Sequence, residues 1–306
     1  MKKEFSLIES LSSMLDKSGV TLGVGDDAAL FGDTLVCKDI MAEGVHFTKG
    51  APVMHIMRKV VTANVSDIAA MGGTAELGLL GIAIPAGYDI TAEDMARPFD
   101  AYGVKLIGGD TTSSKDSLFI SVTIIGRKNE HVLTRSGAKA GDIIYMSRPV
   151  GRVREFLDKE LAAETGSGSR PEQGEGSVTY NHYLVKAETE LGDLLGKTGI
   201  ATSCIDISDG LGRDASHIAD MSGVKMVIEA DRIPVDHLEN KDVMFAIGSG
   251  EEFALLYTID EKDVKELEMM SPKSIRIGRV EAGRGVYLEK DGEQTDISDS
   301  GYEHTF

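Results

Sequence analysis

Carboxylates stand beside glycines at four widely separated points of this chain: Gly25-Asp26-Asp27, Gly108-Gly109-Asp110, Asp206-Ile207-Ser208-Asp209-Gly210 and Gly250-Glu251-Glu252. Each point lies where a hydrophobic run starts or stops, and Asp39 and Asp67 add two acids in similar settings. Hard carboxylate oxygens next to residues that let backbone approach closely suit one chemistry in particular. They can hold divalent cations against a phosphate-bearing ligand.

The elements that must position these residues follow from apolar spacing. Phe5, Ile8, Leu11, Met14 and Leu15 predict an amphipathic helix over 5–17. Leu35-Val36-Cys37 predicts a strand ending at Asp39. Positions 53, 56, 57, 60, 61, 68 and 71 predict a helix over 53–71 with a period of 3.6. Asn64 and Asp67 then share the face of Val60 and Met71. A carboxylate on an apolar helix face costs several kcal/mol unless paired or metal-bound, so Asp67 either has such a partner or reaches water at the stripe's edge. Strands are expected at 77–85, 119–126, 143–146 and 253–257, and helices at 91–103, 182–196 and 211–222. The stretch 164–178 is rich in glycine, serine and glutamate and reads as a surface loop. Strands and helices alternate in both halves, which predicts a mixed α/β (α+β) protein with two lobes, divided near residue 136 into domains of 1–136 and 137–306. Gly192-Asp193-Leu194-Leu195-Gly196-Lys197-Thr198 mimics a phosphate loop but has three residues between its glycines instead of four. A helix ending with lysine and glycine explains it better.

Several candidates remain open on sequence alone. Asp206 closes a strand and Asp209 precedes a helix, so Asp209 either caps that helix or helps bind cation and phosphate at its positive end. Asp206 and Ser208 point the same way if the strand continues. Two adjacent acids, Asp26 and Asp27, repel unless a cation lies between them. Glu251 either binds metal or accepts hydrogen bonds from a ligand amino group. His46 either is structural or contacts a substrate phosphate. Tyr302 either frays with the terminus or stacks on an aromatic ligand.

Composition narrows the class. The chain has 306 residues, of which 42% are hydrophobic, enough for proper cores. Its formal net charge of −18 argues against a basic nucleic-acid surface, although metals could still bridge it to polyanions. The only cysteines, Cys37 and Cys204, offer neither a disulfide framework nor a zinc set and fit a reducing, cytoplasmic setting. No secretory signal is expected, since Glu9 interrupts the N-terminal region, and no apolar run approaches the ~20 residues of a membrane span.

Taken together, seven stretches resemble the thiamine-monophosphate kinase family, within the superfamily of aminoimidazole-ribonucleotide synthases. They are Gly23-Val24-Gly25-Asp26-Asp27-Ala28-Ala29-Leu30, Glu43-Gly44-Val45-His46-Phe47, Asn64 to Gly72, Leu106 to Thr112, Leu133 to Lys139, Ile205 to Leu211 and Gly301-Tyr302-Glu303-His304, in the family's order. The resemblance implies ATP-dependent phosphorylation of thiamine monophosphate to thiamine diphosphate with several magnesium ions (Mg2+). It implies metal ligands at Asp27, Asp39, Asp67, Asp110, Asp206 and Asp209, ATP contacts at Gly109, Asp110, Arg135 and Ser208, and substrate contacts at His46, Glu251 and Tyr302. Among these, Asp110, Arg135 and Asp209 would act most directly on the transferred group. The implied architecture is two α/β domains, with N-terminal sheets pairing across a homodimer. The chain departs from the pattern at Cys37 and Lys38, where the family usually carries hydroxyls, at Glu252, where aspartate is common, and at Ser113-Ser114, which replace a basic residue. Two rival readings are a sister enzyme acting on another substrate through ATP and a non-catalytic nucleotide-binding relative.

Overall fold

A computed structural model describes residues 3–15, 18–164 and 182–302. The expected loop over 164–178 and the end of the C-terminal motif, from Glu303, lie outside the described residues, except for the backbone of Glu164. The first half contains α1 (Lys3–Met14), β1 (Ala29–Phe31), β2 (Thr34–Ala42), α2 (Val53–Ala70), β3 (Gly73–Ile84), α3 (Ala92–Asp100), β4 (Lys105–Ser113) and β5 (Phe119–Lys128). The second contains β6 (Ile143–Met146), α4 (Arg152–Glu164), α5 (Thr189–Thr198), β7 (Ala201–Asp206), α6 (Leu211–Ser222), β8 (Lys225–Glu229), α7 (Val243–Ile247), β9 (Leu255–Ile259), α8 (Val264–Met270), β10 (Ile275–Glu281), β11 (Gly285–Lys290) and β12 (Glu293–Asp296).

The strands form two sheets. The first has five strands in the order β1-β2-β5-β3-β4, and the second has seven in the order β12-β11-β8-β10-β6-β9-β7. Antiparallel pairing dominates both, with β3–β4 and β8–β11 the parallel exceptions. The mixed α/β expectation therefore holds.

Helix α2 is the central piece. Its apolar residues Ile56, Met57, Val60, Val61, Val65 and Ile68 are buried, and so are Lys59, Thr62, Asn64 and Ser66. It is enclosed because it packs on β2, β3 and β5 of the first sheet, on α3 and α5, and on β7 of the second sheet. Polar side chains survive there because each finds a hydrogen bond, as buried polar groups must. The apparent phosphate loop is explained by this packing. A Cβ on Gly192 would lie 2.3 Å from the Ala69 carbonyl oxygen, and one on Gly196 2.0 Å from that of Gly72. The two glycines let α5 touch the end of α2, and Gly199 ends α5 in the left-handed conformation.

The five-stranded sheet buries one face only. Along β2, Leu35, Cys37 and Met41 are buried, whereas Lys38 and Ile40 are exposed on the alternate face. Leu79, Phe119 and Asp110 are exposed as well, and β4 is an edge strand.

Some boundaries differ from expectation. β2 runs through Asp39 to Ala42 instead of stopping at Asp39. The helix expected over 182–196 is a short 3-10 turn at His182–Leu184 followed by α5, because Glu188 begins a new helix. Helix α1 forms, but its apolar residues Leu7, Ile8, Leu11 and Met14 are exposed, so its periodicity does not mark a core face of this chain.

Candidate active site

Three of the expected metal acids converge. Asp27 lies just before β1, Asp67 on α2, and Asp206 ends β7. One carboxylate oxygen from each falls within 4.8 Å of the others. Oxygens bound to a single magnesium ion at ~2.1 Å lie at most about 4.2 Å apart, so a small side-chain movement closes the set. All three donors are hard oxygens, and Asp27 Oδ2 is buried with no hydrogen-bond partner among the described residues. The residues therefore fit a divalent cation of the magnesium class.

Electrostatics reports the same crowding. Burial, then repulsion from Asp27, raises Asp206 from its usual carboxylate value to about 8, despite a 2.7 Å hydrogen bond donated by Ser66 Oγ. Burial raises Asp67 well above the usual range, and Asp39, Asp206 and Asp27 push it further. Asp39 rises to about 6 through burial and Asp27. Like charges this close favour a proton or a cation.

Arg135 meets this cluster from one side. Its Nε and Nη2 donate to Asp27 Oδ1 at 3.1 and 2.5 Å, and its backbone N–H donates to Asp26 Oδ1 at 2.8 Å. The two adjacent acids are thus separated by Arg135 itself: one binds its guanidinium and the other its main chain. The burial that raises Asp27 is partly offset by this guanidinium.

Behind the acids, Asn64 organises β2. Its Oδ1 accepts the backbone N–H of Asp39 at 3.1 Å, and its Nδ2 donates to Val60 O. Cys37 Sγ donates to Asn64 O at 3.1 Å. Burial, with Asp67 and Asp39 nearby, pushes the thiol well up, so it remains neutral. Lys38, on the opposite face, donates to Thr123 Oγ1 at 3.4 Å.

The turn after β7 decides two points left open by the sequence. The strand ends at Asp206 and does not continue to Ser208. Asp209 does not cap α6: the N-cap is Gly210, with no side-chain cap. Instead Asp214, inside the first turn, accepts the backbone N–H groups of Ser208, Asp209 and Gly210 at 3.0, 3.1 and 3.0 Å. An internal carboxylate therefore folds the turn back onto the helix by binding the three N–H groups that lead into it. Ser208 and Asp209 line the cavity.

That cavity holds about 670 Å3, within the usual range for a small-molecule site. Asp39, Asp67, Asp206, Ser208, Asp209, His46, Glu251 and Tyr302 all line it, so eight expected residues meet in one place. Met41, Val45, Val153, Leu157 and Phe253 add apolar surface to the wall, and Lys38, Arg154 and Asp158 add charged groups. His46 Nδ1 accepts the backbone N–H of Ala42 at 3.2 Å, so the neutral ring carries its proton on Nε2. Glu251 sits at φ +57° in a loop whose N–H donates to Ser208 O. Its Oε2 accepts from Lys59 Nζ at 2.6 Å. Neighbouring Glu252 turns away and accepts from Gly151 N, Val153 N and Ser249 Oγ, anchoring the start of α4. Tyr302, half exposed, is held through its backbone N–H to Asp209 O at 2.8 Å.

Gly109 and Asp110 stand apart. They lie exposed on β4, and neither lines the cavity. Asp110 pairs with Gly81, which pairs with Ser121, which pairs with Ile40. Three strand spacings put it ~14 Å from β2. Sequence reasoning missed Lys59, Ser66 and Asp214, since each reads locally as an ordinary polar residue within a helix. Only Asp214, an acid in the first turn of α6, carried a local signal.

Known proteins share the fold and part of the sequence of this chain. Family models for the AIR synthase related protein match residues 25–128 (N-terminal domain) and 139–291 (C-terminal domain). Thiamine-monophosphate kinase of Pyrococcus abyssi is 34% identical, over 81% of this chain and 78% of that protein. The same enzyme of Pyrococcus horikoshii is 32% identical, over 92% and 90%. The solved structure "AaThiL complexed with AMPPCP and TMP" superposes with a TM-score of 0.81 at 28% identity, covering 95% of this chain and 94% of that one. With both halves matched by these models and close relatives along most of its length, the chain belongs to the AIR synthase-related family, among the thiamine-monophosphate kinases.

Proposed function

We propose that this chain is a kinase that transfers the γ-phosphoryl group of ATP to the phosphate of thiamine monophosphate, forming thiamine diphosphate and ADP. The convergence of Asp27, Asp67 and Asp206 beside a cavity lined by Asp39, Ser208, Asp209, His46, Glu251 and Tyr302 carries this reading.

In the proposed reaction an oxygen of the acceptor phosphate forms a bond to the γ-phosphorus as the bond to the ADP oxygen breaks. The acceptor oxygen is already largely ionised near neutral pH, so the protein needs no strong base. The barrier lies in bringing two polyanions together. Magnesium bound by Asp27, Asp39, Asp67, Asp206 and Asp209, with Asp110, would supply charge neutralisation when present. Arg135 adds a fixed positive charge, and the rigid ends of α2 and β7 hold the carboxylates in position. His46 Nε2–H is suited to donate to the acceptor phosphate. Glu251 accepts a hydrogen bond from an amino group of the thiamine rings, and Tyr302 stacks on one of them.

Asp110 and Gly109 join the nucleotide only if a second copy supplies them. The open face of the five-stranded sheet is suited to pair two copies as a homodimer, bringing β4 of one chain towards the cavity of its partner. Domains of 1–136 and 137–306 and a cytoplasmic location complete the reading. Among the described residues no helix is long and apolar enough to cross a membrane.

Purified chain with ATP, magnesium and thiamine monophosphate should release ADP and thiamine diphosphate in equal amounts. Absence of both products defeats the proposal. Asp110→Asn should lower turnover at least ~100-fold, the scale of losing one transition-state charge contact. Sedimentation should show an unchanged dimer, and an unfolded variant would assign Asp110 a structural role.

A further inference from the structure

Lys59 is buried on α2 with its side chain inaccessible to solvent, yet no reading of the reaction uses it. Its ammonium donates to His46 O at 2.7 Å and to Glu251 Oε2 at 2.6 Å, and lies 5.6 Å from the centre of the Tyr183 ring. It joins residues 192 positions apart, across the wall between the two halves of the chain. The carboxylate it holds is unusual in two ways. Glu251 has a positive φ of 57°, a conformation that a non-glycine residue keeps only when its surroundings impose it. Its second oxygen, Oε1, is buried and accepts no hydrogen bond among the described residues. A buried carboxylate oxygen without a donor is an acceptor awaiting one.

We propose that Lys59 is a positioning residue: by fixing Glu251 Oε2 and the His46 main chain together, it aims Glu251 Oε1 at an N–H donor of the substrate's ring portion. The inference rests on the kinase reading and adds to it the residue that selects a ring bearing an amino group. Among the described residues Lys59 bonds to none of the metal acids, and both its partners, Glu251 and the His46 loop, face the acceptor in the proposed reaction, so its influence falls on acceptor binding. The single ammonium serves both contacts, which couples recognition of the ring end to placement of the His46 loop. Arginine retains the charge but not the compact geometry, so it is expected to restore only part of the effect.

The test is steady-state kinetics on the full chain with ATP, magnesium and thiamine monophosphate. Lys59→Met should raise KM for thiamine monophosphate ~10- to 50-fold while KM for ATP and kcat stay within about 3-fold, the pattern of lost uniform binding. Glu251→Gln should give a similar loss, and the double variant should be no worse than either single, since residues acting through one contact are not additive. An acceptor analogue lacking the ring amino group should bind unaltered chain as weakly as Lys59→Met binds thiamine monophosphate. Equal losses for ATP and acceptor, or losses that add in the double variant, overturn the proposal. If Lys59→Met does not fold, Lys59→Arg, Glu251→Gln and the analogue decide by the same KM split. Unaltered chain that makes no thiamine diphosphate sinks the kinase reading and this role with it. Turnover by the unaltered chain, with unchanged acceptor KM in the variants, sinks this role alone.

Discussion

Asp206→Asn is expected to lower kcat ~1000-fold and, in the same protein stripped of metal, to raise the melting temperature by about 5 °C. The activity loss follows from the removal of one charged oxygen from a three-carboxylate site, where single electrostatic groups contribute 100- to 1000-fold and here would also weaken metal binding. The stability gain follows from the same charge. Asp206 is 2% exposed, lies among Asp27, Asp67 and Asp39, and is raised to about 8 by burial and repulsion. Between its unfolded value of 3.8 and pH 7 that shift costs the folded state on the order of 4 kcal/mol at most. Asparagine keeps the size and the acceptor for Ser66 Oγ while abolishing the charge. Turnover measured beside a calorimetric melt in chelator checks both arms. A variant that is both inactive and less stable would show that Asp206 supports the fold through Ser66 and does not store repulsion.

The second large effect is in pH. Asp206 and Asp39 have folded-state values of about 8 and about 6, above the ordinary 3.8. Groups raised in this way contribute stability that is complete below pH ~4 and is lost as pH rises through the folded values. Metal-free chain should therefore melt progressively lower between pH 5 and 8.5 in this part of its profile, and Asp206→Asn should flatten the decline. Magnesium competes with the protons, so its stabilisation should be larger at pH 8.5 than at 5.5. At a hundredfold excess over Kd it contributes ~2.7 kcal/mol, about 5 °C for a chain of this size. A melting temperature that is level across this range in chelator, or an equal magnesium effect at both pH values, would show that the carboxylates do not titrate as one site.

Much of the scaffold was legible locally. The 3.6-residue period over 53–71 became α2 at Val53–Ala70, and the helix expected over 211–222 became α6 at Leu211–Ser222. The placement of Asn64 on the buried face also followed from spacing. Local logic was incomplete at the start of α6. Asp209 is one residue before the N-cap, Gly210, and Asp214 binds the N–H groups of Ser208, Asp209 and Gly210 from inside the helix, a contact set by the fold of the turn that a preference for capping does not contain.

Read alone, the chain determined which side chains are acidic and that most of them end strands or begin turns, because apolar periodicity is a property of neighbours. Tertiary structure decided which acids meet. Ser66 reaches Asp206 across 140 positions, Arg135 reaches Asp27 across 108, and Lys59 reaches Glu251 across 192. Those pairings depend on how two sheets bury α2 between them, and burial energy, being non-directional, leaves no mark in the local pattern of which distant strand will arrive beside a given helix turn. The isolation of Asp110 on an open edge strand has the same origin, for its position relative to the cavity is set by sheet order and not by the glycines beside it.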